Sequence, residues 1–371
     1  MSGLIHFLVK LIKRFRYWLL IIPVLCMHLL ALTGMQECVF QCYYNMLFTP
    51  LRNVYDYTLG WSPVPFIYTI VLIIVFIRIR KIRIRYYHEE KRNNEVSTGN
   101  RILKSIRLVL NAIALFYLLW GFNYYRIPLA DSLGWSAMEV DSMKLINEFN
   151  EVSQQIQQQR MRLSHDTTAY IYQPDMVVLE DSIRNRLIQV FDAFSLPHPG
   201  RVRVRALQPK GSLLVFSTAG IYIPYVMEGH FDKGLHTLQW PFTMAHEMSH
   251  GYGITDEGEC NLLGLLACLR SSDDYIRYSG LLGYWRYLYY EVSLCYYGYA
   301  EQVHANLSKS VRADLNAVKL NLDRYPELFP EIRDYIYNSY LEVHGVESGL
   351  DSYQHLVPLM LYYEQHYKNS Y

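Results

Sequence analysis

The sequence concentrates its chemistry in residues 241–261, PFTMAHEMSHGYGITDEGECN. Pro241 suits the first turn of a helix, where a missing N–H costs nothing. On that helix His246 and His250 stand four residues apart, so both imidazoles project from one face and can share a tetrahedral ion. Glu247, one residue on, is angled beside them. A carboxylate there can take a proton from a water activated at the metal and carry it to a leaving amine. Zinc is the cofactor that this donor set implies, since it binds imidazole and carboxylate and brings the pKa of water down to about 7.

Two histidines leave such an ion short of a protein ligand. Gly251 and Gly253 end the helix and permit a tight reversal, after which three acids compete for the third place. Glu257 and Asn261 are spaced i, i+4 on the next helix, so one can close the metal site while the other holds an imidazole by its far nitrogen. Asp256 fits an HExxHxxGxxD layout, but it reads equally as a helix N-cap with Glu259 at N3 completing a capping box. The expected site is therefore His246, His250 and Glu257 as ligands, Glu247 as base and Asn261 in support. Asp256 and Glu259 remain alternative ligands.

The elements that position these residues follow from the surrounding pattern. Residues 138–162 and 181–194 read as amphipathic helices. Between 201 and 231 the period shortens. Residues 202–206 alternate with arginines, 212–216 form a short apolar run, and 220–226 are rich in β-formers. Gly211, Gly220 and Gly229 punctuate them as turns, giving a small sheet of three strands. From Pro241 onward the pattern is helical, closing with a helix near 353–367. The aromatic run 281–299 reads as a buried helix, because Arg286 and Glu291 fall within it.

The first 130 residues differ in kind. Three stretches, 17–35, 61–77 and 106–125, match the roughly 17–25 apolar residues that a membrane-spanning helix needs. The first two carry no charge, and no small-residue cleavage site follows the first, which is read as retained. Lys10, Lys13, Arg14 and Arg16 precede the first stretch, and the loop 78–105 is dense in arginine and lysine, whereas 36–60 carries only Arg52. Positive residues stay inside, so the N-terminus and the 78–105 loop are expected in the cytoplasm. Three crossings would then deliver residues 131–371 to the outer, periplasmic face. The fold class expected is α+β: three transmembrane helices over 1–130, then a mostly helical domain with a small sheet.

Composition agrees with a membrane protein. Hydrophobic residues make up 51% and charged residues 19% of the 371, with a formal net charge of +1. That balance excludes a general electrostatic affinity for nucleic acid, so the basic loop reads as a topology signal beside anionic lipid. The six cysteines form no metal knuckle or disulfide framework, and Cys38 and Cys42, one turn apart on a helix, read either as packed thiols or as a disulfide pair outside the membrane.

The motifs WGFNYYR (120–126), GIYIPYV (220–226) and PFT (241–243), the last leading into HExxHxxG and E-x-E-x-N, resemble the DUF3810 family of bacterial membrane proteins, found chiefly in Bacteroidetes. The site segment is also similar to gluzincin metallopeptidases, in which a Glu of an ExxA(D/N)-like helix is the third ligand. That resemblance implies a zincin-like domain with Glu257 as ligand and Asn261 behind a ligand histidine. Cys260 stands where the gluzincin pattern has Ala, and the loop from His250 to Glu257 is shorter than in many gluzincins.

Hydrolysis at such a centre wants a further group for the developing oxyanion. Tyr353 and His355 are candidates, each competing with an ordinary role in packing or on a helix surface. His230 and His236 read as solvated loop residues, and His28 as packed within the first span. The function expected is a membrane-anchored zinc metallopeptidase. Its expected partners are membrane lipid and a peptide or protein substrate of the envelope. A zinc-binding membrane sensor and a non-catalytic scaffold compete with it. A structural zinc needs no base, so Glu247 argues against the scaffold and leaves the sensor.

Overall fold

The computed structural model describes residues 18–88, 98–135, 141–343 and 355–367. The chain forms two compact units, Met1–Arg126 with Pro224–Met227, and Ile127–Ile223 with Glu228–Tyr371.

In the first unit, α1 (Ile21–Leu30), α2 (Gln36–Tyr43) and α3 (Thr49–Tyr57) follow one another in a long helical run that bends at Gly34. Then come α4 (Phe66–His88) and α5 (Thr98–Leu119). Among the described residues, two segments are long and apolar enough to cross a membrane, Ile21–Trp61 and Arg101–Leu119. This corrects the expectation of three spans. Helix α4 starts only after Pro63 and Pro65, and Arg78, Arg80, Lys81 and Arg83 follow soon after. The apolar part, 66–77, is about 18 Å of helix, well short of a hydrocarbon core of about 30 Å. The third expected stretch is also trimmed, because the helix gives way after Leu119 to a short turn, Gly121–Tyr125. His28 packs against Tyr117, Phe122 and Tyr125. Cys38 and Cys42 are free thiols, and Arg52 and Asp56 form a buried ion pair.

The second unit is mostly helical. Helices α6 (Ser142–Leu163) and α7 (Met176–Ala193) are opened by the side chains of Asp141 and Asp175, each accepting a first-turn backbone N–H. Three strands follow, β1 (Val204–Leu207), β2 (Gly220–Ile223) and β3 (Glu228–Asp232), in the order β1-β3-β2. β3 runs parallel to β1 and antiparallel to β2, with Gly220 opposite Phe231 and Ile223 opposite Glu228.

The sheet thus has three strands, but not the three read from sequence. The 212–216 run is a helical turn, Leu214–Phe216. Asp232 bends it by accepting the N–H groups of Gly211, Leu213 and Leu214 at 2.7–3.2 Å. The missed strand, EGHFD, is entirely buried although three of its five residues are polar, so no alternation announces it.

Helices α8 (Trp240–Gly251), α9 (Glu257–Leu269), α10 (Asp274–Asn306), α11 (Lys309–Leu322), α12 (Pro330–Val343) and α13 (Leu356–Tyr367) complete the unit. The run 281–299 lies inside α10, which kinks at Tyr296. α9 is buried on every side, as an all-round apolar helix must be, and packs against α7, α8 and α10. Phe149, Leu187, Phe191, Met244, Met248 and Leu263 are among the fully buried core residues. The site helix α8 and the central helix α9 therefore rest on rigid packing.

Candidate metal centre

Pro241 lies in the first turn of α8, whose last residue is Gly251. Gly253 follows in the left-handed region (φ +95°), which a residue without Cβ adopts freely, and the chain reverses into α9. The reversal brings Glu257 against the two histidines. His246 Nε2 is 3.1 Å from His250 Nε2 and 3.1 Å from Glu257 Oε2, and His250 Nε2 is 3.3 Å from the same oxygen. One ligand atom from each converges on a common point, an arrangement that could hold a metal ion.

The far nitrogens are held as well. His246 Nδ1–H donates to Asn261 Oδ1 at 2.8 Å, and His250 Nδ1–H donates to the Ile254 carbonyl at 2.9 Å. Both tautomers are thereby set with a lone pair on Nε2, facing the cluster. Cys260 Sγ lies 3.4 Å from His250 Nδ1, but burial pushes its thiol up to about 12, so it stays protonated.

The two alternative ligands are engaged elsewhere. Asp256 caps α9, accepting the Glu259 N–H at 2.8 Å. The Glu259 carboxylate turns away to accept the N–H groups of Leu129 and Ala130. The N-cap expected of Asp256 is realised.

Electrostatics divide the two remaining acids. Burial raises the pKa of Glu257, but His250 and His246 beside it more than offset this and hold its carboxyl well below the usual range. Burial pushes Glu247 up to about 7, with the two imidazoles pulling the other way. Its Oε2 is buried with no hydrogen-bond partner among the described residues. Burial opposes charge on His250, yet Cys260 and Glu257 raise its pKa well above the ordinary imidazole value.

His246, Glu247 and Asn261 open onto a cavity of about 530 Å³, whose walls include Thr218, Gly220, Phe242, Leu282, Arg286 and Tyr287. The sheet approaches this site closely. A Cβ on Gly220 would lie 2.5 Å from Glu247 Oε1, and one on Gly229 would lie 3.0 Å from Glu247 Cβ.

The two oxyanion candidates fare differently. His355 is exposed at the start of the last helix, near Asp256, and is not among the cavity-lining residues. Tyr353 lies outside the described residues. In their place the cavity presents Arg286 and Tyr287, which sequence reasoning treated only as parts of a buried helix. The one signal was a full charge inside an otherwise aromatic run. Burial pushes the Tyr287 phenol up to about 12, so it remains a proton donor beside Asn261. His230 is fully buried, 3.6 Å from Glu228, and half-buried His236 caps the turn before α8; neither is the solvated residue expected.

Fold and site define a mostly helical domain with a candidate His–His–Glu metal centre at the wall of a cavity, on a chain with two candidate membrane helices. Residues 43–361 match the family model described as "Protein of unknown function (DUF3810)", and the chain belongs to that family. No curated protein and no solved structure matches it.

Proposed function

We propose that this protein is a membrane-anchored, zinc-dependent metallopeptidase, with His246, His250 and Glu257 as zinc ligands and Glu247 as the general base. The observation that carries the reading is Glu247. A buried carboxyl oxygen with no hydrogen-bond partner among the described residues, as Glu247 Oε2 is, is costly, and a structural metal site has no use for one. Facing a cavity beside a metal cluster, it has a role as a proton carrier.

The donor set fits zinc. With bonds of 2.0–2.1 Å, the edges of a tetrahedron are about 3.3–3.4 Å, close to the 3.1–3.3 Å separations among the three ligand atoms. Two imidazoles and one carboxylate leave a fourth position for catalysis. Zinc bound there supplies Lewis acidity, lowering the proton affinity of water and polarising a carbonyl.

The remaining work falls to the chain. Glu247, poised near neutrality, accepts a proton from the attacking water and returns it to the leaving amine. Asn261 and the Ile254 carbonyl fix the imidazoles so that their Nε2 atoms stay available. Tyr287 offers a phenolic proton toward the developing oxyanion. The basic residues at 78–85 and at the start of Arg101–Leu119 favour the cytoplasm, so residues after this helix emerge on the outer face, toward envelope peptides or proteins.

The test is hydrolysis of a fluorogenic peptide library by the purified full chain in detergent. Turnover should vanish with a zinc chelator, return with added zinc, and fall by about a hundredfold or more in Glu247→Gln. Undiminished turnover in that variant would contradict the reading.

A further inference from the structure

One face of α10 forms a wall of the cavity. Ser279, Leu282, Gly283, Arg286, Tyr287 and Tyr290 recur along it at helical spacing, with Leu238 and Phe242 also in the lining. Glu247 is the one acid among the described lining residues, and it faces the candidate metal ligands. Two guanidinium groups interrupt an otherwise largely apolar lining. Arg333 is already neutralised by Glu327 at 3.1 Å and Asp334 at 2.7 Å.

Arg286 is in a different position. It makes no ion pair with any described residue, and its exposed side chain lines the cavity next to Tyr287, its one charge-stabilising neighbour. A solvent-reachable guanidinium at the wall of a largely apolar cavity, without a counter-charge among the described residues, can pair with an incoming anion. A guanidinium binds a planar carboxylate through paired N–H donors, and the apolar walls suit a hydrophobic side chain beside it.

We propose that Arg286 is a specificity-determining residue that binds a carboxylate of the substrate, so that the site selects peptides with a negative group next to an apolar residue. The identity of the ligand as a peptide rests on the metallopeptidase reading. The anion pocket itself rests on the lining of the cavity. The carboxylate has two sources, a C-terminal α-carboxylate, which would make the enzyme act at chain ends, or an Asp or Glu side chain.

The experiment is calorimetric binding to the full-length, zinc-loaded chain in detergent, carrying Glu247→Gln so that no probe is consumed. The probes are N-acetyl-Phe-Leu as free acid, the same dipeptide as C-terminal amide, and N-acetyl-Phe-Glu amide. The free acid should bind roughly ten- to a hundredfold more tightly than its amide. Arg286→Gln should erase that difference and Arg286→Lys should keep part of it, both with unchanged zinc content as the control for folding. A glutamyl amide that matches the free acid assigns the side chain as source, and one that behaves as the leucyl amide assigns the α-carboxylate. Equal binding of all three probes, or equal weakening of all three in Arg286→Gln, would overturn the proposal. Hydrolysis of the same probes with Glu247 intact separates the two ideas. An acid preference without turnover would leave the pocket and sink the peptidase, and turnover without preference would do the reverse.

Discussion

Glu247 is held in a slot made by the sheet, with Gly220 against its carboxyl and Gly229 against its Cβ. A methyl on Gly220 has nowhere to go but into the carboxyl group. Gly220→Ala should therefore displace the proposed base while leaving the candidate ligand cluster in place. We expect peptide turnover to drop by about tenfold or more with zinc content unchanged, measured on the same preparation. Loss of zinc in parallel would mean that the sheet supports the whole centre and not the base alone. This slot was not legible in the sequence, where Gly220 reads as a turn. The histidine pair and its glutamate were legible, because their spacing on one helix is sufficient to bring them together. The third member of the candidate cluster was legible only in part. The choice among Asp256, Glu257 and Glu259 depends on which side chain caps α9 and which reaches back to residues 129–130, and that contact spans 130 positions of sequence.

Among the elements, the loop at 208–217 shows why local pattern misled. Its apolar residues suit a strand, yet the Asp232 carboxylate collects the N–H groups of Gly211, Leu213, Leu214 and Gly234 and winds the segment into a turn. A carboxylate holding four backbone donors in a fully buried position is an anchor for that loop. Asp232→Ala should cost about 3 kcal/mol or more in a denaturant unfolding measurement of the full chain, because it leaves those donors unsatisfied. A loss below about 1 kcal/mol would show that the loop is held by other contacts. The same logic explains the missed strand. β3 buries Glu228, His230 and Asp232, so its polarity disguised a central strand as a loop. The helices were easier, since apolar periodicity is a local signal, although the Asp caps at 141 and 175 that set where two of them begin went unread.

At the scale of the molecule, the apolar N-terminal part is plain from composition, but the number of crossings is not. Pro63 and Pro65 delay the start of α4, and the arginines from Arg78 onward close its apolar stretch early. Counting apolar residues without locating the helix start overstated it as a span. The proposed orientation depends on the last candidate helix alone. A single cysteine placed at exposed Glu331, in a variant lacking the native exposed cysteines, should react in intact cells with a thiol reagent that crosses the outer but not the inner membrane. A cysteine at Arg83 should react only after lysis. The opposite pattern would put the candidate metal centre in the cytoplasm.

The central claim is that a zinc ion is held by His246, His250 and Glu257, and elemental analysis of the purified full chain tests it most directly. About one zinc per chain is expected in the wild type, in Glu247→Gln and in Asp256→Asn, with loss of bound zinc in His246→Ala and Glu257→Ala. A wild-type chain free of zinc after supplementation, or full zinc retention in Glu257→Ala, would contradict the account.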